Sequence, residues 1–268
     1  MREDKYTKIG IVYLLPHNLC REDFFMNRQK NIESLKKMTG VAMFAALAYL
    51  SMIILRIPDI GGFLTMDFKD VIITVSAMFF GPISAVFISI LVPFLEFLTI
   101  SGTGVYGLIM NILSSLTFSL TASLIYKYKK TFWGAVIGLV SATFAVTAVM
   151  MAANLVITPY YTKMPTAAVA AMIPKLLLPF NLTKAIFNSA VTLVLYKPLT
   201  SVMRKTDIFG KKRASQNMVQ TPEERKKAKI RTVVLIIVGT IIAIASLLVI
   251  IFVWGGRLSF FDVFKRGK

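Results

Sequence analysis

Residues 71–126 read VIITVSAMFFGPISAVFISILVPFLEFLTISGTGVYGLIMNILSSLTFSLTASLIY, and the fold turns on how many helices this stretch holds. Its 56 residues carry one charge, Glu96, and two breaks, Gly81-Pro82 and Ser101-Gly102-Thr103-Gly104. A helix running through Gly81-Pro82 from Val71 to Ile100 would be about 45 Å long, well beyond the roughly 30 Å apolar core of a bilayer and without polar flanks on which to protrude. Three helices, the first of them short, fit the stretch better.

The rest of the chain has the same character. Of 268 residues 56% are hydrophobic and only 16% charged, which excludes a typical soluble enzyme. The 31 Lys and Arg against 13 Asp and Glu leave +18, and these charges lie almost wholly outside the apolar runs. Spans are expected near residues 39–56, 68–80, 82–100, 105–126, 132–157 and 178–197. With the N-terminus cytoplasmic, the inner segments then hold eight, three and eleven basic residues, and the two outer loops with cations hold two each, Arg56 with Lys69 and Lys163 with Lys175. Merging Val71 to Ile100 into one span would turn Lys127, Lys129 and Lys130 outward, against that bias. The charge therefore reports orientation and contact with anionic lipid rather than nucleic acid, for which no recognition fold is present.

The expected organisation is a polar basic segment over 1–37, a six-helix membrane domain over 38–205, a basic linker over 206–230, a seventh transmembrane helix over 231–256 and a basic tail over 257–268. The linker composition reads as tethering an appended helix rather than a member of the bundle. Residues 1–37 do not have the form of a secretory signal peptide, and residues 1–25 read as a disordered extension or a mis-assigned start. Cys20 cannot form an internal disulfide. Gly102-Thr103-Gly104-Val105-Tyr106-Gly107 lacks the following Lys of a phosphate cradle and reads as a turn between membrane helices. The single histidine, His17, and the absence of paired carboxylates in the spans argue against metal-assisted or intramembrane hydrolysis. An enzyme is not expected.

Polar side chains inside apolar spans are costly and face the bundle interior, so their depth is informative. Glu96 lies one turn from the outer end of the third helix, Tyr106 and Asn111 in the first two turns of the fourth, and Asn154 near the outer end of the fifth. Asn181 and Lys184 fall in the opening turns of the sixth if Pro179 sets its start. Asn181, Lys184 and Asn188 share one helical face. Singly, each is accounted for by an inter-helix hydrogen bond, or for Lys184 by snorkelling. Jointly, they suggest an outward-opening pocket for a small polar molecule with an aromatic or apolar part. On the first helix, Ala42 and Ala46 stand four apart, a spacing that lets another helix approach closely, either within the bundle or from a partner protein.

Six short helices, an Ala-x-x-x-Ala surface on the first and no ATPase motif resemble the substrate-binding S components of energy-coupling factor (ECF) transporters, and within them the riboflavin-specific S component. The likeness covers roughly residues 35–205. It is carried by Leu64-Thr65-Met66-Asp67-Phe68-Lys69-Asp70, Gly81-Pro82, Asn154 with Thr158-Pro159-Tyr160, and Pro179-Phe180-Asn181-Leu182-Thr183-Lys184. The resemblance implies an all-α integral membrane protein of the prokaryotic cell membrane, six helices plus one C-terminal span, that binds riboflavin as transported ligand. It implies that Thr65 and Asp67 belong to a lid after the first helix, and that Asn154, Asn181 and Lys184 hydrogen-bond the flavin. Glu96, Tyr106 and Asn111 join this set from their depth alone. It implies as partners a transmembrane coupling subunit, touched by Ala42 and Ala46, and two cytoplasmic ATPase subunits that supply the energy, with the S component tipping over in the membrane to release its ligand inward. An S component for another vitamin or precursor, and a membrane anchor or assembly protein using the seventh helix, are the alternatives. The first 25 residues and those beyond about Lys205 depart from the family pattern.

Overall fold

The computed structural model describes residue 28 and residues 31–55, 57–60, 64–100, 104–205 and 222–249. In chain order these form helix α1 (Asn31–Ile54), strands β1 (Ile57–Ile60) and β2 (Leu64–Met66), and helices α2 (Lys69–Phe80), α3 (Pro82–Thr99), α4 (Gly104–Tyr128) and α5 (Phe132–Thr162). Helix α6 (Thr166–Met172), a π-helical turn (Ile173–Leu177) and helix α7 (Leu178–Lys205) then run on without a break, and α8 is Pro222–Val249. Segments 1–25, 206–221 and 257–268, on which expectations were placed, lie outside the described residues.

The chain is a helical membrane bundle. Among the described residues, five helical segments are long and apolar enough to cross a bilayer: α1, α3, α4, α5 and Thr166–Tyr196, the last joining α6 to α7. Helix α2 is only 12 residues long, ends at Gly81 and is enclosed on nearly every side, with all of its residues but Ile72 buried. Its residues Ile73, Val75, Phe79 and Phe80 pack with Phe44, Ala45 and Ala48 of α1 and Ile88 and Val92 of α3. Met78 instead joins the larger core between α4, α5 and α7, built on Phe118, Ala122, Leu139, Ala142 and Ala185.

The two breaks expected in residues 71–126 do separate three helices. At the first, Gly81 has φ +102, a backbone conformation costly for any residue with a Cβ, and Pro82 occupies the first turn of α3, where its missing N–H is not needed. The Ser84 hydroxyl donates to the Gly81 carbonyl at 2.6 Å and closes the turn. The close approach of α5 to α4 depends on Gly138, where a Cβ would lie 2.8 Å from the Ala122 carbonyl oxygen.

Three features differ from the sequence expectation. The connection after α1 contains a short antiparallel hairpin, β1 against β2, with Ile57 opposite Met66 and Ile60 opposite Leu64. Pro179 does not begin the sixth span. The helix starts at Thr166 and continues through Pro179, with the π turn just ahead of it. Pro179 has no N–H to offer the turn before it and its ring crowds the carbonyl four residues back, so a locally widened helix relieves the conflict. Finally, α8 begins at Pro222, inside the stretch expected to be linker, and lies along α7. Gly239 brings it close enough that a Cβ there would meet the Val194 Cγ2 at 2.8 Å.

Candidate functional site

The site is organised by the few residues that lead into α2. Asp67, Lys69 and Asp70 are all buried, at 1, 1 and 2% exposure, although sequence reading places Lys69 among the exterior cations of a loop. Burying such charges is tolerable only when they are paired. The Lys69 Nζ lies 2.7 Å from Glu96 Oε2 of α3 and 3.3 Å from Asp67 Oδ2. The Asn111 amide of α4 donates to the same Glu96 oxygen at 3.1 Å. Glu96 thus ties α2, α3 and α4 together.

Asp67 also meets Lys184 of α7, Nζ to Oδ2 at 3.3 Å, and that ammonium donates to the Thr65 carbonyl at 3.2 Å. Lys184 therefore does not snorkel; it holds the end of β2 against α7. Burial pushes the Asp67 carboxyl up, but the ammonium groups of Lys184 and Lys69 outweigh it and hold the group at about 2. Phe68 packs edge-on against Phe187 of α7, ring centroids 5.1 Å apart, and adds an apolar contact to the charged one. The remaining carboxylate, Asp70, accepts hydrogen bonds from the Ser115 hydroxyl of α4 and, at 3.5 Å, the Asn188 amide of α7.

Beside this cluster is an open cavity of about 90 Å³ lined by residues of β2, α3, α4, α5 and α7. Thr65, Glu96, Tyr106, Asn111, Asn154, Asn181 and Lys184 all line it. Asp67 does not, and is joined to it through Lys184 and, by way of Lys69, through Glu96. The Asn154 amide donates to the Met150 carbonyl at 2.7 Å and its oxygen accepts from Thr158 Oγ1 at 2.9 Å, so its orientation is set within α5. The Asn181 amide donates to the Leu177 carbonyl at 2.8 Å, at the end of the π turn.

Apolar and aromatic walls complete the cavity: Met110, Met150, Ile157, Tyr161 and Phe180, none of them named as a site residue from sequence, since aromatics and Met in membrane helices are too common to signal a site. Ser114 and Thr158 add hydroxyls. The arrangement offers amides able both to donate and to accept, one ammonium, and flat apolar surfaces. It suits an uncharged heteroaromatic molecule bearing carbonyls and hydroxyls.

The small-residue stripe of α1 divides between two environments. Ala45 and Ala48 are buried in the core, while Ala42 and Ala46 face outward. Gly138 and Ala142 of α5 are buried within the bundle.

A family model for the substrate-specific component of ECF transporters matches residues 36–196. The riboflavin transporter RibU of Staphylococcus aureus (strain TCH60) is 31% identical over 185 residues, which cover 66% of this chain and 97% of that protein. The riboflavin transporter FmnP of Bacillus subtilis (strain 168) is 25% identical over 187 residues, covering 65% and 98%. The solved structure of the S component of a bacterial ECF transporter superposes with a TM-score of 0.55 at 28% identity, over 64% of this chain and 99% of that one.

Proposed function

The chain belongs to the substrate-specific components of ECF transporters, and from that premise we propose that it is the riboflavin-binding subunit of an ATP-driven vitamin importer. The observation that carries the proposal is the convergence of Asn154, Asn181 and Lys184, from two successive membrane spans, on one cavity with aromatic and Met walls. Two relatives named as riboflavin transporters, each covered almost end to end, support the same ligand.

In this proposal the Asn154 and Asn181 amides read the donor and acceptor edge of the flavin ring, as amides pair with an imide-like edge. Lys184 donates to a ring or ribityl oxygen while keeping Asp67 as its counter-ion. Tyr106, Tyr161 and Phe180 pack on the ring faces. Thr65, on β2, closes the cavity from the hairpin side, and Glu96 with Asn111 braces the wall formed by α3 and α4.

The protein sits in the prokaryotic cell membrane with its N-terminus cytoplasmic. Ala42 and Ala46, exposed on α1, form the face on which a transmembrane coupling subunit docks, since small residues let a partner helix approach closely. Two cytoplasmic ATPase subunits supply the energy. The recognition subunit itself does no chemistry. Protein purified from riboflavin-replete cells is expected to be yellow, with a flavin absorbance that survives washing. Colourless protein with no affinity for added riboflavin would overturn the assignment.

A further inference from the structure

Helix α8 lies beyond the residues that the family model matches, yet it packs along α7 and reaches, through Ala243, the buried cluster that seats β2. We propose that α8 is a brace that holds the hairpin against the cavity, and that Gly239 and Ala243 are its positioning residues. The inference rests on the ligand-binding reading of the cavity given above.

Three contacts carry it. Gly239 seats α8 on α7: a Cβ there would lie 2.8 Å from Val194 Cγ2 and 3.5 Å from the Ala190 carbonyl oxygen. One turn further on, Ala243 packs against the buried cluster of Met66, Phe180 and Phe187, which Leu64 and Phe68 also join. Met66 belongs to β2, and the neighbouring Leu64 and Thr65 line the cavity.

The order of residues around α7 explains why a helix outside the bundle reaches the hairpin. At 100° per residue, Ala190 and Val194 lie on one side of Phe187 and Val191, and Lys184 and Asn181 lie on the other. The hairpin occupies the middle of this arc, between the cavity and α8. On the cavity side it is held by the Lys184–Asp67 pair and by the Lys184 bond to the Thr65 carbonyl. On the far side the apolar cluster that includes Ala243 holds it. Lifting the hairpin requires both sides to give way, so α8 slows ligand exchange without touching the ligand.

The test uses the full chain. In a Cys20→Ser background, Met66→Cys places a thiol where the side chain is fully buried, and its rate of labelling by a maleimide reports how often the hairpin lifts. Riboflavin dissociation and association are followed separately by flavin fluorescence. Gly239→Leu is expected to accelerate both labelling and dissociation at least five-fold, and association with them, leaving the affinity within two-fold of the parent. Gly239→Ala, in which one carbon meets a Val194 methyl, is expected to raise both rates about two-fold and keeps the test open should the leucine variant fail to insert. Ala243→Ser should behave as the parent and Ala243→Trp as Gly239→Leu. If riboflavin binds but neither rate responds to the glycine variants, the brace is wrong and the binding assignment stands. If labelling accelerates in protein that never binds riboflavin, the brace stands and the ligand assignment fails.

Discussion

The Lys184 ammonium on α7 meets the Asp67 carboxylate 3.3 Å away across 117 residues of chain, and donates as well to the carbonyl of Thr65, two residues back in β2. One side chain therefore lines the cavity and holds β2 against α7. On the function proposed above, ligand binding and the seating of β2 share a group, so removing it should affect both.

Lys184→Met removes that donor and leaves Asp67 with Lys69 alone. Riboflavin affinity measured by flavin fluorescence quenching is expected to fall at least ten-fold, while membrane insertion and yield stay near the parent. An unchanged affinity would assign Lys184 a purely structural role. Lys184→Arg should recover part of the loss, because a guanidinium keeps the charge but alters its reach.

Breaking the second pair should act on stability more than on binding. Glu96→Leu strands the Lys69 ammonium with a single counter-ion 3.3 Å away and deprives Asn111 of its acceptor. Removing one partner of a buried pair costs about 3–5 kcal/mol. A clear drop in thermal unfolding temperature is expected, with partial recovery in Lys69→Met combined with Glu96→Leu. No recovery in the double variant would show that the two residues do not act as a pair.

The Asp67 pair also predicts a pH profile. The carboxyl is held at about 2, below the ordinary 3.8 of an aspartate, so the folded state binds this proton more weakly than the unfolded chain does. Its stabilising contribution is fully present above roughly pH 4–5 and is lost as pH falls toward 2. The stability difference between the parent and Asp67→Asn, followed by unfolding temperature, should be constant from pH 8 to 5 and shrink below pH 4. A difference that instead changes between pH 8 and 6 would contradict the pairing.

Two glycines should fail for different reasons. Gly81→Ala meets no atom within 4 Å, so its cost is that of the backbone at φ +102, about 1–2 kcal/mol. Gly138→Ala drives a Cβ to 2.8 Å from a carbonyl of α4, and because that neighbour is backbone the two helices must separate. The second variant is expected to unfold at a lower temperature than the first. The reverse order would mean that α4 and α5 slide apart easily.

Ala42→Trp enlarges a side chain exposed on the outer face of α1. Riboflavin binding by the purified subunit should be unchanged, while ATP-dependent uptake in cells expressing the whole transporter falls at least ten-fold. Unimpaired uptake would move the docking face elsewhere.

What could be recognised without coordinates follows from contrast. Asn111, Asn154, Asn181 and Lys184 stand out because a polar side chain within twenty apolar neighbours has few places to go. Gly81-Pro82 is legible because its conformational demand is local. Lys69 is not, because next to Asp67 and Asp70 it looks like one more charge in a polar connection, and only folding shows that all three are enclosed. Pro179 misleads in another way. A proline suits the first turn of a helix, but here it sits inside one, and the widened turn that accommodates it has no distinctive sequence. The packing of α8 on α7 depends on Gly239 meeting Val194, a fit between surfaces that neither segment reveals alone.

That widened turn, Ile173–Leu177, has the effect of a phase shift. A π-helical insertion adds one residue to the count without adding a turn, so every side chain after it is rotated by about 100° from where an uninterrupted helix would aim it. Asn181, Lys184 and Asn188 all lie after it. Deleting a single residue from Ile173–Leu177 would leave α7 apolar, helical and membrane-spanning, yet swing its polar row away from the cavity. The lining of this pocket is thus adjustable by insertion and deletion as well as by substitution, a route by which one helical scaffold can be re-indexed to present a different row of side chains to a different ligand.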